Sequence, residues 1–309
     1  MRLAFACDLN HHPWMQWIGE ICGLLTSVCW SGSSVAFTRA ARVAGPSTVN
    51  HIRIWLALTI LAIIHSVLFG IPFPFYAGTQ RFLWLGISGL FGFVVADGLL
   101  LEAFLLLGPR VSMLLLTLAP AFGTLLGWVF LGEHPPLLKL AGITATTIGI
   151  GIVVSAGAPA GRRVSNWRGI FLGVGAAVGQ ACGFLFSKLG MQGEYSPFSA
   201  NIIRLLAAGI GMTLLTLIRG QMIADARKLN DRRVFLTILA GTIAGPVVGV
   251  ALALYSLSHV FIGIAITLTS LAPVILLPVD HFFFGERINI GAIAGTIISL
   301  AGVVLLFIA

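Results

Sequence analysis

The chain has 309 residues, 58% of them apolar and 9% charged, with a formal net charge of +8. An ordinary soluble domain carries about 25% charged residues, so this composition excludes a water-solvated globule and makes lipid the solvent. The basic residues lie scattered between apolar runs and form no stripe, which argues against nucleic acid as a partner.

Residues 1–16, with His11, His12 and Pro13, read as a flexible N-terminal tail in which Met15 is an alternative start. No secretory signal of standard form precedes the first long apolar run, which begins near Trp17. A helix needs about 20 apolar residues to cross the hydrocarbon. Ten segments meet that need, at 17–37, 48–70, 83–106, 110–131, 137–156, 168–190, 198–219, 233–257, 260–284 and 288–308. Turn signals separate them: Gly45-Pro46, Pro72 to Gly78, Gly108-Pro109, Pro135-Pro136, the stretch Ala158 to Arg168, and the charged loop Arg219 to Arg233. Connections this short leave no room for a soluble catalytic domain.

The second half repeats the first. Ala119-Pro120 and Gly132-Glu133 recur as Ala272-Pro273 and Gly285-Glu286 at an offset of 153, as do Gly92, Gly142 and Gly149 as Gly245, Gly295 and Gly302. Pro46 and Arg53 recur as Pro197 and Arg204 at an offset of 151. The expected architecture is therefore an all-α integral membrane protein of ten transmembrane helices in two inverted five-helix repeats. The first repeat occupies 17–157 and the second 169–309, with an inter-repeat loop at 158–168. An odd number of spans per repeat turns the second copy upside down, and inverted repeats give two similar-energy states open to opposite faces. Glycines at G-x-x-x-G spacing in spans five and ten predict close helix packing, within one chain or between two copies.

Loops after odd-numbered spans carry twelve basic residues and the other face four. The positive-inside rule then puts the odd loops in the cytoplasm and both termini outside. Cys7, Cys22, Cys29 and Cys182 form no C-x-x-C pair and read as free structural thiols. No phosphate-binding loop appears, so energy is expected from the substrate gradient or a coupled ion.

Ionisable groups at bilayer depth are functional candidates. Asp97 and Glu102 share span three but stand about 140° apart around a helix, so they do not form a carboxylate pair. Asp97 is the deeper and has Val250 in the matching place of the second half; it reads either as a proton carrier or as a hydrogen-bonded group between helices. Asp280-His281 also breaks the repeat, its counterpart being Gly127-Trp128, and is a second candidate for the substrate or proton path, or else a wetted interfacial pair. Topology places Arg53 on the membrane face of Glu286 and Arg204 on that of Glu133, so two cross-repeat ion pairs are expected as gates, or else each glutamate caps its own turn. Lys188 and Arg39 end spans six and one and are expected to snorkel to the headgroups. Trp30, Gln180, Asn201 and Tyr255, with Ser31, Ser34 and Asn50, are further candidates to line the path.

The duplicated layout, the A-P…G-E pattern of each fourth span, the glycine-rich fifth spans, Arg53 and Arg204, and the early Cys29-Trp30-Ser31-Gly32 together resemble the EamA-type family of the drug/metabolite transporter superfamily. The resemblance covers nearly all of the chain after residue 17. It implies a ten-helix secondary transporter without a cofactor, moving amino acids or other small metabolites, often outward, with spans five and ten as supports. It also implies both termini in the cytoplasm, against the charge count.

The resulting expectation is a multi-pass carrier in a cell membrane (inner or plasma), monomeric or homodimeric, moving a small-molecule substrate by alternating access with protons as candidate co-substrate. A flippase for a lipid-linked precursor is the alternative. A membrane-embedded enzyme is disfavoured because His51, His65, His259 and His281 are scattered and form no metal-ligand motif.

Overall fold

The computed structural model describes residues 17–107, 109–156, 166–193, 195–220, 231–275 and 290–308. Among the described residues every regular element is a helix. In chain order these are α1 (Ile18–Ala44) and α2 (Pro46–Phe69). Next comes α3 (79–107), built from Thr79–Gly89, a π-helical segment Leu90–Ala96 and Asp97–Leu107. α4 (109–131) is built from Pro109–Leu116 and Ala119–Leu131. Then follow α5 (Leu137–Ala156), α6 (Trp167–Gly190) and α7 (Pro197–Ile218). The last three are α8 (Arg232–His259), α9 (Ile262–Ile275) and α10 (Ile290–Ile308). Nine of these are long and apolar enough to cross a membrane, and the described part of α9 is shorter.

Local chemistry sets the ends. Pro46 and Pro197 open α2 and α7, where a missing amide proton costs nothing and the fixed φ suits the first turn. Gly45, at φ 87°, makes the sharp joint between α1 and α2. Asn166 accepts from the Gly169 amide to cap α6, and Asp231 accepts from the Arg233 and Val234 amides to cap α8. α1 runs on to Ala44, past the expected end at 37, with Arg42 in its last turn, where a cation suits the helix dipole.

Two irregularities recur at the repeat offset. α4 breaks at Thr117-Leu118 ahead of Ala119-Pro120, and α9 breaks at Ser270-Leu271 ahead of Ala272-Pro273. Proline has no amide proton and its ring crowds the carbonyl four residues back, so each helix restarts there. The π segment of α3 recurs as Ile243–Gly249 in α8. Here Pro246 accounts for the second copy, whereas the first contains no proline.

The inversion is visible where α5 meets α10. A Cβ at Gly149 would stand 2.6 Å from the Gly295 carbonyl oxygen, and one at Gly295 would stand 2.7 Å from that of Gly149. Gly142 and Gly302 form a second reciprocal pair, at 2.9 and 2.8 Å. Early residues of one helix thus face late residues of the other, so the helices run antiparallel about an internal two-fold axis. The Thr146 hydroxyl donates to the Ser299 carbonyl at 3.4 Å, and the Ser299 hydroxyl lies 3.5 Å from the Thr146 carbonyl. The small-residue stripe therefore serves packing within the chain. Elsewhere α1 packs on α8, α6 on α3, α2 on α7 and α4 on α9, so among the described residues the most extensive contacts join the two repeats.

Outward faces are apolar: Val67, Ile218 and Ile290 are each more than 80% exposed, a surface that only lipid tolerates. Inward positions include polar groups, with His65, Asn201 and Arg204 all buried.

Candidate functional site

The π segments position a polar centre between the repeats. The Asp97 amide donates to the Val94 carbonyl and the Val250 amide to the Gly245 carbonyl. The carbonyls of Phe93 and Pro246 are thereby left without the amide four residues on, and a buried carbonyl needs a donor. Asn50 of α2 supplies one, its Nδ2 donating to Phe93 O at 3.1 Å, and Asn201 of α7 donates to Pro246 O at 2.8 Å. Each asparagine stitches its own repeat's second helix to its third.

On this scaffold sits a charged trio. Arg53 donates through Nη2 to the Asp97 carboxylate, and through Nε to Asn50 Oδ1 at 2.8 Å. Its guanidinium also lies 5.0 Å from the centre of the Phe37 ring of α1. Arg204, the repeat counterpart of Arg53, lies across the Phe93 ring at 5.0 Å and is close enough to act electrostatically on Asp97. Gly89 and Gly92 of α3 leave the room it occupies, since a Cβ at Gly92 would stand 3.3 Å from its Nη2. Arg204 is 5% exposed, whereas the Asp97 side chain is 30% exposed; the carboxylate is the wetter part of the cluster.

A second polar centre closes the ends of α4, α6 and α8. Lys188 Nζ lies 2.6 Å from Glu133 Oε1 and 2.5 Å from the Val260 carbonyl oxygen, while Glu133 Oε2 accepts from the Ile262 amide at 2.9 Å. One carboxylate thus holds a cation and caps the start of α9. This is a cross-repeat link, but the expected partner is wrong: Glu133 engages Lys188, whereas Arg204 lies over the Phe93 ring. Lys188 accordingly turns inward and does not snorkel, because a buried carboxylate and a free carbonyl offer it more than the headgroup region does. Arg53 is likewise committed to Asp97; Glu286, its expected partner, lies outside the described residues, as do Asp280 and His281.

The remaining candidates divide. Trp30 packs against the π segment of α8, 3.5 Å from the place a Cβ would take on Gly245. Gln180 is half-buried on α6. Tyr255 is half-buried and stacks on His259, ring centres 4.3 Å apart. Glu102 is corrected: its side chain is 48% exposed and meets Arg168 at 3.9 Å on the outside, since the helix turn separating it from Asp97 carries it away from the trio. Two buried centres escaped the sequence reading. Glu20 is 3% exposed and lies 3.6 Å from Lys139, and fully buried His65 bridges the Ile71 carbonyl and Ser199 hydroxyl. His65 carried a signal, as its repeat counterpart is Thr216. Among the described residues no group of three or more His, Cys, Asp or Glu is placed to hold a metal.

The model of the EamA-like transporter family matches residues 17–155 and again 167–308. No curated protein is matched. Of the solved structures, one crystal structure superposes with a TM-score of 0.73 at 17% identity, over 94% of this chain and 96% of the other. At that identity the likeness is one of fold.

Proposed function

This chain belongs to the EamA-like transporter family of the drug/metabolite transporter superfamily, and we propose that it is a secondary carrier for a small organic metabolite. Members of the family are transporters. The observation that supports this reading is the trio Arg53, Asp97 and Arg204, with Arg204 buried and Asp97 partly exposed where the two inverted repeats meet. Charges at that depth are retained for substrate or ion handling. The carrier works by alternating access: the α5–α10 seam holds the repeats together while α1–α4 and α6–α9 rock around the trio. Lys188 and Glu133 latch one face. Asp97, the most hydrated member of the trio and unmatched in the second repeat, carries the coupling proton. The same reading places the protein in the cell membrane with its odd loops inside, needing no cofactor.

The test is uptake by reconstituted vesicles from a pooled metabolite library, under pH gradients of both polarities, with Asp97→Asn beside the wild type. Accumulation driven by the gradient and lost in the variant is the expected result. Accumulation that persists in the variant removes Asp97 from the coupling path, and no accumulation under either polarity refutes the carrier.

A further inference from the structure

The two repeats treat the arginine–asparagine pair of their second helices differently. In the first, Arg53 Nε donates to Asn50 Oδ1 at 2.8 Å. In the second, the counterparts Arg204 Nε and Asn201 Oδ1 are both buried without a hydrogen-bond partner. The residues stand three apart on one face of α7, as Asn50 and Arg53 do on α2, so the same bond is geometrically open to them. It is not made; the Arg204 guanidinium lies over the Phe93 ring of α3. A buried donor and a buried acceptor three residues apart on α7 are therefore both left without a partner, and native proteins rarely leave such groups empty.

The charge balance points the same way. Two guanidiniums and one carboxylate share the centre, and the carboxylate is bonded to Arg53. Among the described residues the other acids are engaged elsewhere: Glu20 with Lys139, Glu102 with Arg168, Glu133 with Lys188, and Asp231 at the start of α8. Among the described residues, then, no carboxylate is left to Arg204 but the one already bonded to Arg53, and a buried cation so placed is expensive unless a further anion reaches it.

We propose that Arg204 and Asn201 form the recognition site for the substrate's acid group, an oxyanion on Arg204 flanked by an N–H or O–H that donates to Asn201 Oδ1. This rests on the carrier reading above and adds to it the polarity of the substrate. Arg204 supplies charge-assisted donors and a fixed fork; Asn201 Oδ1 selects acids with a donor next to the oxyanion over plain acids. The site stays asymmetric because Arg53 and Asn50 satisfy one another and leave nothing free for a ligand. Phe93 lies under the guanidinium, so its ring holds the fork in place between turnovers.

The test is binding, by thermal shift on the purified full chain in nanodiscs. The probes are the α-amino acids and their α-hydroxy analogues, each beside the parent deamino carboxylic acid and beside its own amide, which lacks the oxyanion. At least one amino or hydroxy acid should raise the melting temperature, its amide should not, and the deamino acid should bind about tenfold more weakly. Arg204→Gln should abolish the shift. Arg204→Lys, which keeps the charge and removes the fork, should weaken binding about tenfold or more, and Asn201→Ala should erase the preference for acids bearing a neighbouring donor. An equal shift from the amide, or full binding by Arg204→Lys and Asn201→Ala in folded protein, would overturn the site. Vesicle uptake of only neutral or cationic metabolites would also overturn it while leaving the carrier intact, whereas failure of all uptake strikes the carrier itself.

Discussion

Deleting the Glu133 carboxylate should destabilise the protein and should do so through Lys188. Glu133→Ala leaves the Ile262 amide without its acceptor, previously at 2.9 Å, and leaves Lys188 with the Val260 carbonyl alone. Removing one partner of a buried ion pair costs about 3–5 kcal/mol. The side chains here are 22% and 10% exposed for Lys188 and Glu133, so water reaches the lysine and the lower end applies, about 3 kcal/mol. Lys188→Met should cost less, about 2 kcal/mol, because Glu133 keeps the Ile262 amide. The double variant should fall short of the sum by about 1–2 kcal/mol, the coupling expected of residues in direct contact. Reversible unfolding of the four proteins in mixed micelles measures this cycle. Additivity within about 0.3 kcal/mol would refute the pair. A parallel cycle on Glu133 and Arg204, the pairing the topology alone suggested, should show no coupling.

The α5–α10 seam should tolerate no side chain: Gly149→Ala, whose Cβ would meet the Ser299 amide nitrogen at 2.5 Å, should cost about 1–3 kcal/mol in the same unfolding assay. Gly32→Ala, inside α1 with nothing within 4 Å of its Cβ, should be accommodated and stabilise by about 0.5–1 kcal/mol. Glu102→Gln should leave both stability and uptake unchanged, because its pair with Arg168 is long and exposed. The Tyr195 phenol, in the turn before α7, is pushed up to about 12 by burial and then by Tyr76. Its folded value lies above the unfolded one, so its contribution to stability is intact below about pH 10 and is lost as pH rises towards 12. Ultraviolet titration should show one of the three tyrosines ionising late, and Tyr195→Phe should remove that phase.

Much of the fold was legible because the bilayer imposes a length. Apolar runs of about 20 residues betray helices whatever they pack against, and the recurring Ala-Pro and Gly-Glu pairs betrayed the duplication. The glycines of α5 and α10 were legible as contact residues, but a G-x-x-x-G step says nothing of its partner. Only the reciprocal approach of Gly142 to Gly302 and Gly149 to Gly295 assigned the contact to the chain itself.

The candidate site was half readable. Asp97, Arg53 and Arg204 stood out because charge is rare at such depth, and depth follows from sequence position. Which charges meet does not follow. Topology puts Arg204 and Glu133 on one membrane face, yet helix rotation and tilt decide which side chains converge, and here they send Glu133 to Lys188 and Arg204 to Phe93. Nor does sequence position reveal that a π segment frees the Phe93 and Pro246 carbonyls for Asn50 and Asn201. Hydropathy and spacing thus determined the membrane class, the ten spans and the repeat. The ion-pair partners, the seam between repeats and the unsatisfied atoms of Arg204 and Asn201 arise from contacts between helices far apart in the chain, and only tertiary packing sets those.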